Sequence, residues 1–413
     1  MLWQPSLDDY YTRMPADEAA RLIRARRAQL GESLVILGHH YQTDEVIQHA
    51  DFTGDSLKLS QLAASVSRER AVEHVVFCGV HFMAETADML TPGHVRVILP
   101  DLSAGCSMAD MADYDDTVEA WDLLHTSLGE QGWAGRIIPI TYVNSTAAIK
   151  AFVGEHGGAC CTSSNADAVF DWAMKGGEDT DAGDEIKILF LPDQHLGRNT
   201  AAKHGIDTET ATCLYDPKRT RRGDPLGGST AEQVRDAQVI LWAGHCSVHK
   251  LFRPEHCVEI REANRAHADQ EPTRIIVHPE CAKEVVDLAD DSGSTEYILR
   301  TIGQSPEGSR WAVGTETHLV NRIAAEAARR GVHVRMLSDC QCLCTTMYRI
   351  DQPHLLWVLD NLCGIRIKDG KPSRAEPQAV NVVAVHPEAR ALALKALDRM
   401  LSLSRQPSPT DVD

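Results

Sequence analysis

The chain has 413 residues, 43% hydrophobic but only 5% aromatic, so aliphatic side chains must fill several cores. Its 41 Lys and Arg against 59 Asp and Glu give a net charge of −18, which excludes a general nucleic-acid or acidic-membrane binder and favours a soluble protein that handles small molecules. The segment Met1-Leu2-Trp3-Gln4-Pro5 onward shows no basic stretch followed by an apolar core, and no window reaches the ~20 apolar residues of a spanning helix. A cytoplasmic protein without a membrane pass is expected.

Short β-branched runs recur along the chain: Leu34-Leu37, Val75-Cys78, Val95-Leu99, Ile137-Val143, Ile186-Leu191, Val239-Ala243, Ile275-Val277, Trp311-Gly314 and Val332-Met336. Helically spaced apolar residues separate them, such as Leu59, Leu62, Ala63 and Val66, then Val285, Leu288 and Ala289. Continuous apolar strands alternating with helices predict an α/β fold of parallel sheets covered on both faces. The pattern cycles three times, which predicts three small three-layer α/β/α domains around a common centre. The boundaries are 1–115, 116–250 and 251–347, with 348–413 completing the first domain. Lys175-Glu185, Pro217-Asp224 and Gly227-Gly228-Ser229-Thr230 read as exposed loops, and Ser402-Asp413 as a disordered tail.

Twelve cysteines occur in the chain, and a protein expected inside the cell uses thiols in polar loops for metal or redox chemistry. Three sites stand out: Gly105-Cys106-Ser107, Gly244-His245-Cys246-Ser247 and the run Cys340-Gln341-Cys342-Leu343-Cys344. One falls late in each cycle. Zinc is compatible with such a set, whereas three thiolates from three domains suit a [4Fe-4S] cluster with one open iron. Cys78, Cys160, Cys161, Cys213, Cys257, Cys281 and Cys363 lie in apolar or mixed sequence and read as small core residues.

Polar clusters follow the strands. His39-His40-Tyr41, Tyr142 with Asn144, and His278-Pro279-Glu280 stand at predicted carboxyl ends, where open α/β sheets bind ligands. Asp55-Ser56, Thr162-Ser163-Ser164-Asn165 and Gly293-Ser294-Thr295 precede helices. Each can cap its helix, and each can also hold a phosphate or carboxylate.

These blocks resemble the quinolinate synthase family. The resemblance rests on His39-His40-Tyr41-Gln42, Gly54-Asp55-Ser56-Leu57, Phe77-Cys78-Gly79-Val80-His81-Phe82-Met83-Ala84-Glu85-Thr86-Ala87 and Pro100-Asp101 leading to Gly105-Cys106. It continues through Tyr142-Val143-Asn144-Ser145-Thr146, Thr162-Ser163-Ser164-Asn165-Ala166, Pro192-Asp193-Gln194-His195-Leu196-Gly197 and Cys246-Ser247-Val248-His249. His278-Pro279-Glu280-Cys281, Gly293-Ser294-Thr295 and Gly314-Thr315-Glu316 complete it. The resemblance implies three domains in pseudo-threefold arrangement around a [4Fe-4S] cluster held by Cys106, Cys246 and a third cysteine. Counting back from Thr346-Met347-Tyr348-Arg349-Ile350 makes the third Cys344, then Cys342, then Cys340.

The same resemblance implies condensation of iminoaspartate with dihydroxyacetone phosphate to quinolinate, phosphate and water, and a functional coupling to L-aspartate oxidase. Glu280 is implied as principal base, with Tyr41, Tyr142, His39 and His278 as its catalytic partners. Ser56, Val143, Asn144, Ser163, Pro279 and Thr295 join His39, Tyr142, His278 and Glu280 as substrate contacts. Two rival readings are another open-iron dehydratase and a redox sensor or metal carrier built on the 340–344 thiols. The sensor has no use for the Tyr, His and Glu clusters.

Overall fold

The structure is a computed structural model that describes residues 3–178, 185–339 and 342–404. Cys340, most of the acidic 175–185 stretch and the greater part of the 402–413 tail lie outside the described residues. The chain divides into two compact units, Met1–Cys106 with Glu316–Leu319 and Leu343–His386, and Ser107–Thr315 with Val320–Cys342 and Pro387–Asp413.

In the first unit, β1 (Leu34–His39), β2 (Phe52–Gly54), β3 (His74–Cys78) and β4 (Arg96–Ile98) pair in parallel in the order β2-β1-β3-β4. All six residues of β1 are buried, as a strand covered on both faces requires. The helix Ser56–Glu69 starts where the Asp55 carboxylate accepts the Lys58 N–H at 2.9 Å, and it buries Leu59, Ala63 and Val66 at helical spacing. Away from the sheet, Arg26 and the Tyr11 hydroxyl both donate to the fully buried Asp360 carboxylate, tying Ala16–Leu30 to Gln352–Leu362.

The second unit holds two more sheets. β5 (Arg136–Tyr142), β6 (Ala159–Cys161), β7 (Ile186–Leu191), β8 (Thr212–Tyr215) and β9 (Val239–Trp242) run in parallel in the order β6-β5-β7-β9-β8. β10 (Thr273–Val277), β11 (Asp291–Ser292), β12 (Arg310–Gly314) and β13 (His333–Met336) follow in the order β11-β10-β12-β13. With β8 set aside as an added edge, all three sheets share one winding: the second strand on the outside, then the first, the third and the last. The α/β class and its threefold repetition are therefore present in the connectivity.

After the third sheet come the antiparallel hairpin β14 (Ile365–Lys368) and β15 (Lys371–Arg374), then β16 (Val382–Val383), which pairs antiparallel with β4. The last helix, Pro387–Leu403, belongs to the second unit and packs on Ala147–Glu155. It buries Ala393, Ala396, Leu397 and Met400. Gly154 makes this approach possible, since a Cβ there would lie 2.0 Å from the Leu392 carbonyl oxygen.

Every strand read from the sequence is present. The unread ones are β2, β6, β8, β11 and the three C-terminal strands, each of two to four residues. Two supposed loops are more ordered than expected: Asp216 caps the short helix Pro217–Thr220, and Thr230 forms a capping box at Ala231–Asp236. Among the described residues, no helix is long and apolar enough to cross a membrane.

Candidate active site

The strand β1 ends in His39, β5 in Tyr142, and β10 one residue before His278. Because the winding is shared, these are equivalent positions, each beside the outermost strand and its helix. In the first and third sheets the caps of those helices are Asp55 and Ser294, the latter accepting the Tyr297 N–H at 3.3 Å. Ser56 and Thr295 are the first residues inside the helices and are almost fully buried. In the second sheet the Asn165 side-chain oxygen accepts from the Thr162 N–H at 2.6 Å and its hydroxyl at 2.9 Å, folding the Ser163 turn. In the first and third sheets capping thus falls to the residue before the hydroxyl implied as a substrate contact.

In the first unit, the Tyr41 N–H donates to His39 Nδ1 at 3.1 Å and the two rings meet edge to face at 4.8 Å. Gln42 donates from Nε2 to the Met347 carbonyl at 3.0 Å, and Arg349 donates to the Ser103 hydroxyl at 3.0 Å. The β1 loop, the Cys344 loop and the segment before Cys106 are laced together by these bonds.

In the second unit the strand ends build a buried polar cluster. Glu280 Oε2 lies 2.8 Å from His249 Nδ1, and His249 Nε2 lies 3.2 Å from the Thr315 hydroxyl. His278 stacks on His249 at 4.5 Å, and its Nδ1 accepts the Glu280 N–H at 3.3 Å, which leaves the imidazole proton on Nε2. Tyr142 gives Glu280 another hydrogen bond. A Cys246 thiol, a His249 nitrogen and a Glu280 oxygen all lie within 4.8 Å of one another.

Burial pushes the His278 imidazole down to about 3, against the pull of Glu280, so it is neutral near pH 7. Burial alone raises the Glu280 carboxyl, but His249, His278 and the bonds from His249 and Tyr142 outweigh it and hold Glu280 well below the ordinary carboxylate range. Since His278 is neutral, the hydrogen bonds from His249 and Tyr142 are what hold the carboxylate ionised. The ionised carboxylate can only accept, so His249 carries its proton on Nδ1.

Two implied contacts also serve the fold. The Val143 N–H donates to the Cys161 carbonyl at 2.8 Å, and the Pro279 carbonyl accepts from Asn199 at 2.8 Å. Asn144 follows the same turn, which the buried Lys150 ammonium holds through the Ser145 carbonyl.

The cysteines divide by setting. Cys78, Cys160, Cys161, Cys213, Cys257, Cys281 and Cys342 are buried, while Cys106, Cys246, Cys344 and Cys363 are half-buried. Cys363 ends a helix, its thiol against the Arg26 carbonyl. The other three share one backbone element. Cys106 precedes the 3₁₀ turn Ala109–Met111, Cys246 precedes His249–Leu251, and Cys344 precedes Met347–Arg349. Each cysteine stands seven residues before the N-cap of the next helix, at Asp113, Arg253 and Asp351. Cys342 is outside this register and lies 3.4 Å from the Ser338 hydroxyl. Three half-buried thiols on one repeated element are donors of the kind a three-thiolate cluster takes.

His249, Thr315, Asp193 and Asn199 were not singled out from the sequence. The signals on offer were the spacing Cys246-Ser247-Val248-His249, which sets a histidine one turn after a thiol, and the blocks Pro192-Asp193-Gln194 and Gly314-Thr315-Glu316.

A family model described as Quinolinate synthetase A protein matches residues 21–402. The quinolinate synthase of Acidobacterium capsulatum is 49% identical over 395 residues, covering 96% of this chain and 95% of that protein. That of Streptomyces coelicolor is 48% identical, covering 92% and 87%, and that of Lysinibacillus sphaericus is 47% identical, covering 96% of each. With the family model spanning nearly the whole chain and relatives close to half identical along almost all of their length, the chain belongs to the quinolinate synthetase A family.

Proposed function

We propose that the chain makes quinolinate by condensing iminoaspartate with dihydroxyacetone phosphate, releasing inorganic phosphate and two waters. The carbon, nitrogen and phosphorus of the two substrates are all accounted for in these products. Cys106, Cys246 and Cys344 would hold a [4Fe-4S] cluster. When bound, it supplies a Lewis acid for hydroxyl departure.

The protein's own groups bind and move protons. Ser56, Ser163 and Thr295, at or beside helix starts, are suited to carboxylate and phosphate oxygens, and Asn144 adds an amide beside Tyr142. The neutral His278 offers an Nε2–H donor to a developing oxyanion. His39 and Tyr41, packed edge to face, are suited to orient a substrate. Glu280, held ionised by its bonds from His249 and Tyr142, takes a proton from the substrate briefly and returns it to a departing hydroxyl as water leaves. The proposed domains are 1–115 completed by 348–413, 116–250 and 251–347.

The observation that carries this reading is the Glu280 carboxylate bonded to both His249 and Tyr142 beside the Cys246 thiol. Glu280→Gln tests it. The variant should keep its iron and bind substrate while turnover falls roughly 10²–10⁴-fold, the usual loss of general acid–base help. Near-normal turnover per iron-loaded molecule would move the proton chemistry to another residue.

A further inference from the structure

Asp193 is fully buried, and its place in the repeat sets it apart from an ordinary helix cap. It closes the link between β7 and the helix Gln194–Lys203, and Oδ1 accepts the Leu196 N–H at 2.7 Å. Its other oxygen, Oδ2, leaves the helix and accepts the Cys246 N–H at 3.2 Å. A carboxylate that needed only to cap would not have to be buried or to reach 53 residues along the chain.

The other repeats show what this bond accomplishes. In the first, the helix His81–Leu90 donates its leading N–H, from His81, to the Ala104 carbonyl at 2.8 Å, two residues before Cys106. In the second, Gln194 donates to the Gly244 carbonyl at 3.0 Å, again two residues before the cysteine. Gly244 must be glycine for this fit, because a Cβ there would lie 2.2 Å from the Pro192 carbonyl oxygen. In the third, Glu316 takes the Asp193 position: it is fully buried and accepts the His318 N–H at 2.8 Å. The first repeat has Gly79-Val80 there and no carboxyl. In the first two repeats the helix start after the third strand is thus tied two residues before a cysteine, and in the second the capping carboxyl also bonds the cysteine's own backbone.

We propose that Asp193 is the positioning residue of Cys246: its two oxygens, divided between the Leu196 and Cys246 N–H groups, fix the thiol against Glu280 and His249. This rests on reading Cys246 as a cluster ligand. Partners that orient a ligand from behind typically contribute 10–100-fold to metal retention.

The test separates capping from positioning. Asn caps a helix as well as Asp, but its amide nitrogen cannot accept the second N–H. Protein with its cluster reconstituted is challenged anaerobically, without substrate, with an iron(II) chelator, and iron release is timed. The unliganded protein is melted in parallel. Asp193→Asn should release iron about 10–100-fold faster and alter the electron paramagnetic resonance line shape of the reduced cluster, while melting close to the parent. Asp216→Asn, a cap on the exposed helix Pro217–Thr220, should change neither. If Asp193→Asn matches the parent and only Asp193→Ala speeds release, the residue is a cap and the inference falls. If Cys246→Ser itself keeps a full cluster, the ligand reading falls first, and the two failures are told apart.

Discussion

The ends of β1 and β10 occupy the same position in the shared winding yet carry different chemistry. At β10, a carboxylate and two imidazoles are buried together with a tyrosine bond, so charge is concentrated and a proton has a path. At β1, His39 and Tyr41 meet edge to face, and the neighbouring Gln42 amide spends a donor on the Met347 carbonyl. The winding fixes where a residue stands, and its neighbours' charges decide what it can do. On the reading proposed above, one end moves protons and the other orients.

The largest test of that contrast compares two tyrosines. Tyr142→Phe removes the bond to Glu280 and should lower turnover roughly 10²–10⁴-fold, whereas Tyr41→Phe should raise KM and change kcat about tenfold or less. Equal losses in kcat would erase the distinction.

The supports beneath the two ends should differ as well. Asn199 donates to both the Pro279 and Cys281 carbonyls, at 2.8 and 2.9 Å, so Asn199→Ala strands two buried acceptors. A loss of about 2–4 kcal/mol in chemical denaturation is expected, given ~1–3 kcal/mol for each stranded group. Gln42→Ala removes one of two donors to the Met347 carbonyl, which keeps the Ile350 N–H at 3.3 Å, and should cost about 0.5–1.5 kcal/mol. The reverse order would mean that the β1 end is the more tightly held.

Acid should act most gently and still tell the ends apart. His278 has an ordinary value of 6.5 and is pushed by burial to about 3, so the unfolded chain binds the extra proton between these values. Its contribution to stability is intact above 6.5 and lost as pH falls towards 3. The slope is at most about 1.4 kcal/mol per pH unit. Glu280 has the opposite charge type and a depressed value, so its contribution persists above the ordinary 4.5 and fades below that. His278→Asn should flatten the stability profile between pH 6.5 and 4.5, and an unchanged profile would show that His278 is not buried neutral.

Long apolar strands such as Ile186–Leu191 were legible in the sequence because burial on both faces demands a continuous run. β11, only Asp291–Ser292, was not, because two polar residues carry no periodicity. At the site, Glu280 and Tyr142 could be read from their motifs. His249 and Asp193 could not, since their roles depend on a carboxylate 31 residues away and a cysteine 53 residues away. The preference for Cys344 rests on counting back from Thr346-Met347, and its seven-residue spacing to Asp351 carries meaning only once the helix start at Gln352 is known.

The late return of the chain has a consequence for synthesis. The first sheet receives β16 only after all three sheets have been made, and the face of Ala147–Glu155 waits for the helix Pro387–Leu403. The nascent chain therefore emerges with its earlier layers incomplete, and they cannot be finished in the order in which they leave the ribosome. Until the last stretch arrives, an unpaired β4 edge and an apolar helix face are open to other chains, a window in which a chaperone has something specific to cover.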